Sequence, residues 1–168
     1  MEEFVRADLE RAQDLIRKVH PDPIDPQFRI ASPEGDFWIG ITLTDNAKER
    51  AHRMALVSDF MAWTLSTGFI LASELHEPYA VLSVGIMRDD YVAELALIER
   101  NPMGLPGVAF SAPKRVLHEN MDPEIFKLAP RGARTITSAR LKELTTWFGA
   151  DGKSPAVKLM PDGRLPPL

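Results

Sequence analysis

Glu74 and His76 stand two residues apart in an apolar run, so on a strand they share one face, with Glu77 and Tyr79 across the turn that follows. A carboxylate beside an imidazole at the end of a sheet is a pairing that general acid/base chemistry uses. No catalytic motif surrounds the pair, and strand ends are also where charged residues ordinarily meet solvent. A second grouping is cationic. Lys114, Arg115, Lys127, Arg131, Arg134, Arg140 and Lys142 give seven positive charges against Glu119, Asp122 and Glu124. The loop holding Arg131 and Arg134 runs directly into Thr137 or Ser138, which suits a helix cap, so Arg131, Arg134, Arg140 and Lys142 form a candidate contact for an anion or a partner.

The remaining histidines carry less. His20 with Asp22 and Asp25 has the residue types of a metal site, but the prolines between them keep the chain extended. His52 and His118 match no HExxH pattern, so no metal is expected. The glycines at 104, 107, 132, 149 and 152 form neither a GxxxxGK[ST] run nor GxGxxG, and Ser111 and Ser154 lack a nucleophile elbow; no cofactor is expected. Cysteine is absent, which removes disulfides, thiolate nucleophiles and thiolate metal sites. The charged N-terminus lacks the apolar core of a secretory signal, and the longest apolar stretch, 54–75, is interrupted by Asp59 and Glu74. Neither a membrane span nor export is expected, and the location expected is the cytoplasm.

The elements that must position these groups follow from periodicity. Residues 46–67 read as a long central helix, capped by Asn46 with Glu49 three residues on and closed by Gly68. It starts polar, becomes apolar nearly all round from Met54 to Leu65, and would be roughly 33 Å long. Met61 and Leu65 are thereby expected in the core. Residues 2–19 give an amphipathic helix with Phe4, Val5, Leu9, Ala12, Leu15, Ile16 and Val19 on one side. Pro21, Pro23 and Pro26 then form a stiff strut, so this helix is either an arm or a layer lying across its own sheet.

Strands are expected over 27–31 and 37–43, joined by a turn at 32–36, and over 69–75 and 79–87 around His76, Glu77 and Pro78. The second pair is too apolar for a wet outer face and belongs centrally. A helix is expected from Asp89 or Asp90 to Arg100 with Val92, Leu95, Ala96 and Ile98 inward, and another from Ser138 to Phe148. Nine of the fourteen prolines lie after Asn101, so 101–168 reads as an irregular extension.

The expected fold is α+β: a single antiparallel sheet of about four or five strands, covered on one face and packed against the long central helix, with an N-terminal helix and a Pro-rich C-terminal third. It divides into an N-terminal helix at 1–20, a strut and first strand at 21–36, a core at 37–100 and the basic extension at 101–168. Residues 1–100 carry ten Lys/Arg against eighteen Asp/Glu, net −8, and residues 101–168 ten against six, net +4. Such asymmetry lets the two parts attract each other, lets copies associate, or serves an anionic partner. The function expected is a non-enzymatic protein-binding module of adaptor or inhibitor type that also self-associates. The alternatives are a nucleic-acid-binding protein using the basic 114–142 segment, and a small acid/base enzyme around Glu74 and His76.

Overall fold

The computed structural model describes residues 1–33, 35–41, 46–88, 90–100, 107–129, 135–148 and 157–160. Among the described residues four α-helices, α1 (Glu2–Val19), α2 (Ala47–Trp63), α3 (Pro123–Lys127) and α4 (Ser138–Phe148), accompany the strands β1 (Gln27–Ser32), β2 (Gly35–Gly40), β3 (Gly68–His76), β4 (Tyr79–Met87), β5 (Asp90–Arg100), β6 (Val108–Phe110), β7 (Lys114–Arg115) and β8 (Val157–Met160). The strands form one sheet in the order β6-β5-β4-β3-β1-β2-β8, every pairing antiparallel, with β7 also pairing β5. The α+β class holds, and β3 and β4 take the central places that their apolar composition demands. The sheet is wider than the expected four or five strands.

One added strand is a correction. Residues 90–100, expected as a helix, are β5, in register with β4 from Met87↔Asp90 to Ala80↔Leu97. Residues 80–86 of β4 are all buried, and their backbone needs a hydrogen-bonding partner on the side away from β3. β5 supplies it. Ala93 and Leu95 pack toward one face of the sheet, while Ala96 and Ile98 pack toward the other. Because both faces are covered, apolar residues at both parities erase the alternation of a half-buried strand and imitate a helical stripe.

That double covering corrects the expectation of one covered face. Phe69 and Leu71 of β3 and Leu82, Val84 and Ile86 of β4 point to a core shared with Leu56, Val57, Phe60 and Met61 of α2. The intervening Ala72 and Val81 point to a second core built with Leu9, Ala12 and Ile16 of α1. α1 therefore lies across its own sheet, with Val5, Leu9, Ala12 and Ile16 at most 1 % exposed. The close approach has a visible cause at Gly85, where an added Cβ would stand 2.8 Å from Val5 Cγ2 and 3.2 Å from Met1 Cγ.

α2 starts where expected, with Asn46 Oδ1 accepting from the Lys48 and Glu49 amides at 3.0 and 3.2 Å. Its end differs. The helix stops at Trp63, and Leu65, at φ 53, takes the left-handed position expected of Gly68. The Ser66 amide then donates to Met61 O at 2.9 Å and the Leu65 amide to Ala62 O at 3.4 Å, the bond pattern of a Schellman close. A side chain there points away from the helix, so Leu65 is 55 % exposed and is not a core residue. Only Leu56, Val57, Phe60 and Met61 of α2 are buried, so the helix is a one-sided cover and not an enclosed axis.

The Pro-rich third packs on the same side as α2. Leu128 and Leu144 are buried in that core, with Val116, Met121, Ile125, Phe126 and Ile136 against it, so the described part of this third is built into the fold. α4 has its expected bounds, and Thr137 Oγ1 accepts from the Arg140 amide at 3.2 Å. Leu43, Gly149 and the tail from Pro161 lie outside the described residues.

Two expectations on stability follow. Met61→Ala costs about 2–5 kcal/mol, as for a filled core position, whereas Leu65→Ala changes stability by less than about 0.5 kcal/mol; urea titration of the two variants checks the contrast. Gly85→Ala forces Val5 and Met1 outward, costs about 1–3 kcal/mol, and lowers hydrogen-exchange protection over residues 2–9 before it does so in α2.

Candidate functional site

The sequence-predicted residues occupy three separate places. Glu74 lies on the α1 face of β3, where its Oε2 accepts from the Ile24 amide at 3.1 Å. Burial, and then the charge of Glu74, raise the Tyr79 hydroxyl above its ordinary value. His76 is exposed at the strand end opposite Tyr79. No hydrogen bond joins Glu74 to His76 among the described residues, and Glu74 instead fastens the proline strut to the sheet.

Arg140 faces α2. Its Nε reaches Asp59 Oδ2 at 2.5 Å and its Nη1 reaches Glu143 Oε2 at 2.7 Å, while Glu143 Oε1 stands 2.8 Å from His52 Nε2. Hydrogen bonding from Arg140 is the main cause holding the Glu143 carboxyl below its ordinary value. Lys142 is exposed on the same helix and has its own partner, and Arg131 and Arg134 lie outside the described residues. Arg115 meets Glu2 at 3.2 Å, so two cations of the basic third meet carboxylates of the acidic part inside one chain.

A cleft forms elsewhere, from residues not singled out in the sequence. On the α1 face, antiparallel register sets Met87, Gly68, Ala31 and Asp36 in one row and Gly85, Ile70, Arg29 and Trp38 in the next. The small residues Gly68 and Ala31 leave the sheet low, and Met1 and Phe4 of α1 overhang it. The result is a cavity of about 290 Å³ walled by Met1, Phe4, Ile70 and Met87, with Arg29 and Asp36 at one side. Phe4 and Met87 are 52 % and 42 % exposed. Arg29 binds Asp36 through Nε at 2.8 Å and Nη2 at 2.7 Å, and its guanidinium lies 5.0 Å from the centre of the Phe4 ring. The cation is therefore neutralised and stacked, and the cleft is apolar in character.

Behind the cleft sits a buried polar group. Asp8 is fully buried, with Oδ1 3.4 Å from Arg11 Nε, and Arg11 Nη1 donates to Gln27 Oε1 at 3.0 Å. Arg11 also lies 5.4 Å from the Trp38 ring centre. Among the described residues neither Asp8 oxygen accepts a hydrogen bond. Burial pushes the Asp8 carboxyl above its ordinary value, opposed first by Arg11 and then by Arg29.

A signal for this site exists in the sequence. The docking stripe of α1 is Val5, Leu9, Ala12 and Ile16; Phe4, Asp8 and Arg11 form the adjoining stripe at the same helical spacing. A charged pair flanking a buried stripe marks the side on which the helix meets polar groups of the sheet. Among the described residues no three His, Cys, Asp or Glu gather as metal ligands, and no helix is long and apolar enough to cross a membrane.

The raised Asp8 carboxyl has a definite sign. The folded chain holds this proton more tightly than the unfolded chain, so the contribution is most favourable at low pH. It is lost as pH rises from the ordinary aspartate value of 3.8 through the raised folded value. Urea titrations over a pH series are expected to show a weaker fall of stability with rising pH in Asp8→Asn than in the parent; parallel profiles would show that Asp8 does not titrate in this way.

Comparison of the chain with protein families, with curated proteins and with solved structures finds no match.

Proposed function

We propose that this chain is a non-enzymatic protein-binding module, of adaptor or inhibitor type, that seats an apolar side chain of another protein or of a second copy beneath the overhang of α1. The observation that carries this reading is the apolar cleft itself, with Phe4 and Met87 about half exposed at its mouth. Large apolar groups held at the surface around a concavity are a recurrent mark of docking sites. At about 290 Å³ the cavity falls just below the roughly 300–1,000 Å³ of small-molecule pockets, a size suited to one anchoring side chain. A chain without cysteine suits the reducing cytoplasm as the place of action.

The other two readings draw on residues already engaged. An acid/base centre would need Glu74, which holds the Ile24 amide, and a nucleic-acid interface would need Arg140, which holds Asp59 and Glu143.

Photocrosslinking tests the docking reading. With p-benzoylphenylalanine at position 87 in the full chain, covalent adducts to a second polypeptide or a second copy are expected on irradiation in cell extract. They should disappear when Phe4→Asp is added. Adducts unchanged by Phe4→Asp, in a variant that melts like the parent, would place partner contacts outside the cleft and end this reading.

A further inference from the structure

The apolar cleft does not end at Met87. That residue also lines a neighbouring concavity of about 400 Å³ with Thr67, Arg88 and Asp90, so an apolar half and a polar half stand on either side of Met87 and are treated as one groove. The charges in the two halves stand differently. In the apolar half, Arg29 and Asp36 bind one another and are 13 % and 20 % exposed as side chains, which offers an incoming charge little. In the polar half, Arg88 is exposed, and among the described residues it makes neither hydrogen bond nor ion pair. The Asp90 side chain, also exposed, makes none either, and it is the one described carboxylate lining that half. A guanidinium has five donors in a planar fork and matches a carboxylate in two-point contact.

Backbone conformation marks the same end of the sheet. Among the described residues, Leu65 at φ 53 and Arg88 at φ 54 are the non-glycine residues with left-handed backbone. Arg88 lies in the two-residue β4–β5 connection, and Leu65 lies in the α2–β3 connection that supplies Thr67. A left-handed backbone at such residues costs roughly 1–2 kcal/mol each and persists where the surroundings enforce it. Here it holds the Arg88 side chain at the rim of the groove.

We propose that the segment received by this groove carries a bulky aliphatic or aromatic residue with an aspartate or glutamate within about three positions of it, the apolar group entering beneath Phe4 and the carboxylate pairing with Arg88. The spacing follows from the geometry. Both halves of the groove meet at Met87, and an extended chain advances roughly 3.3 Å per residue, so adjacent cavities are bridged within a few residues. This assignment rests on the protein-binding reading and adds the chemistry of the partner. Asp90 opposes the incoming carboxylate, so its neutralisation strengthens binding on this assignment.

The test is selection of random dodecapeptides displayed on phage against the immobilised full chain, followed by affinity measurement of synthetic peptides from the enriched clones. The expected clones pair one large apolar residue with a nearby acid. Their binding should be abolished by Phe4→Asp, weakened about ten-fold by Arg88→Glu and tightened by Asp90→Asn, all in variants with parental melting curves. Clones that depend on Phe4 but show no acidic preference and ignore Arg88→Glu would overturn this assignment and leave the docking reading standing. A selection that yields no clone dependent on Phe4 would overturn both.

Discussion

The seating of α1 on β3, β4 and β5 is the contact on which the rest of the structure depends. A helix can lie this close to a sheet only where the strands present small side chains, and the track beneath α1 is Ala72, Val81, Ala96 and Gly85. Burying Leu9, Ile16 and Val5 removes several large apolar side chains from water, each contributing about 1.5–3 kcal/mol. Three consequences follow from that seat. The sheet has both faces covered, its central strands can be apolar at every position, and Phe4 and Met1 are carried out over the low floor at Gly68 and Ala31. The cleft is therefore a by-product of helix placement, set by the register of the stripe on α1.

Against this gain stands the polar group on the flank of the helix. Taking a carboxylate and a guanidinium out of water costs several kcal/mol per ion before their mutual attraction is counted, and the Asp8–Arg11 contact at 3.4 Å is longer than a hydrogen-bonded pair. A leucine pair of similar volume would hold the helix as well or better. What the polar pair adds is direction. Arg11 is fixed by Gln27 of β1 and lies near Trp38 of β2, and Arg29 lies near enough to Asp8 to offset its burial. An α1 rotated by one residue would turn by about 100°, break these contacts, leave both charges unpaired and lift the apolar stripe off the sheet. The pair and the stripe therefore set the rotation of α1 together, and with it the position of Phe4 over the cleft.

Much of the fold was legible, for identifiable reasons. The hairpins at 27–40 and 68–87 carried β-branched runs bounded by proline and glycine, and α4 from Ser138 to Phe148 carried its cap at Thr137. Residues 90–100 were misread because Ala93, Leu95, Ala96 and Ile98 serve two cores at once, and a strand buried on both faces has no period to read. Leu65 was misread because a Schellman close at a non-glycine residue has no signature in residue type; the helix ended at Trp63, well before Gly68, the glycine that looked like its stop. Of the cleft, only the Phe4, Asp8 and Arg11 stripe on α1 left a trace in the sequence, and its floor left none. It depends on the row Met87, Gly68, Ala31, Asp36, which only the pairing of four strands assembles. Periodicity assigns residues to faces, and it does not say which rows end beneath an overhanging helix.

The charge asymmetry can now be placed within the molecule. Arg140 and Arg115 carry the basic third onto Asp59 of α2 and Glu2 of α1, on opposite faces of the sheet. The contacts are unequal. The Arg140 side chain is 22 % exposed and its partner 16 %, whereas Arg115 and Glu2 are 63 % and 69 % exposed, and an open pair of that kind contributes little in water. On the α2 face, then, complementary charge reinforces an apolar contact already made by Leu144 and Leu128. On the α1 face the clamp comes from β5: Arg6 of α1 meets both carboxylate oxygens of Glu94, whose side chain is largely buried, and this contact adds to the stripe and to Asp8 and Arg11. The N-terminal part of α1, at the mouth of the cleft, is thereby tied to two strands, through Arg6 to Glu94 of β5 and through Glu2 to Arg115 of β7. Phe4, between these two tethers and with the guanidinium of Arg29 over its ring, is thereby held above the cleft while half of it stays open to what enters.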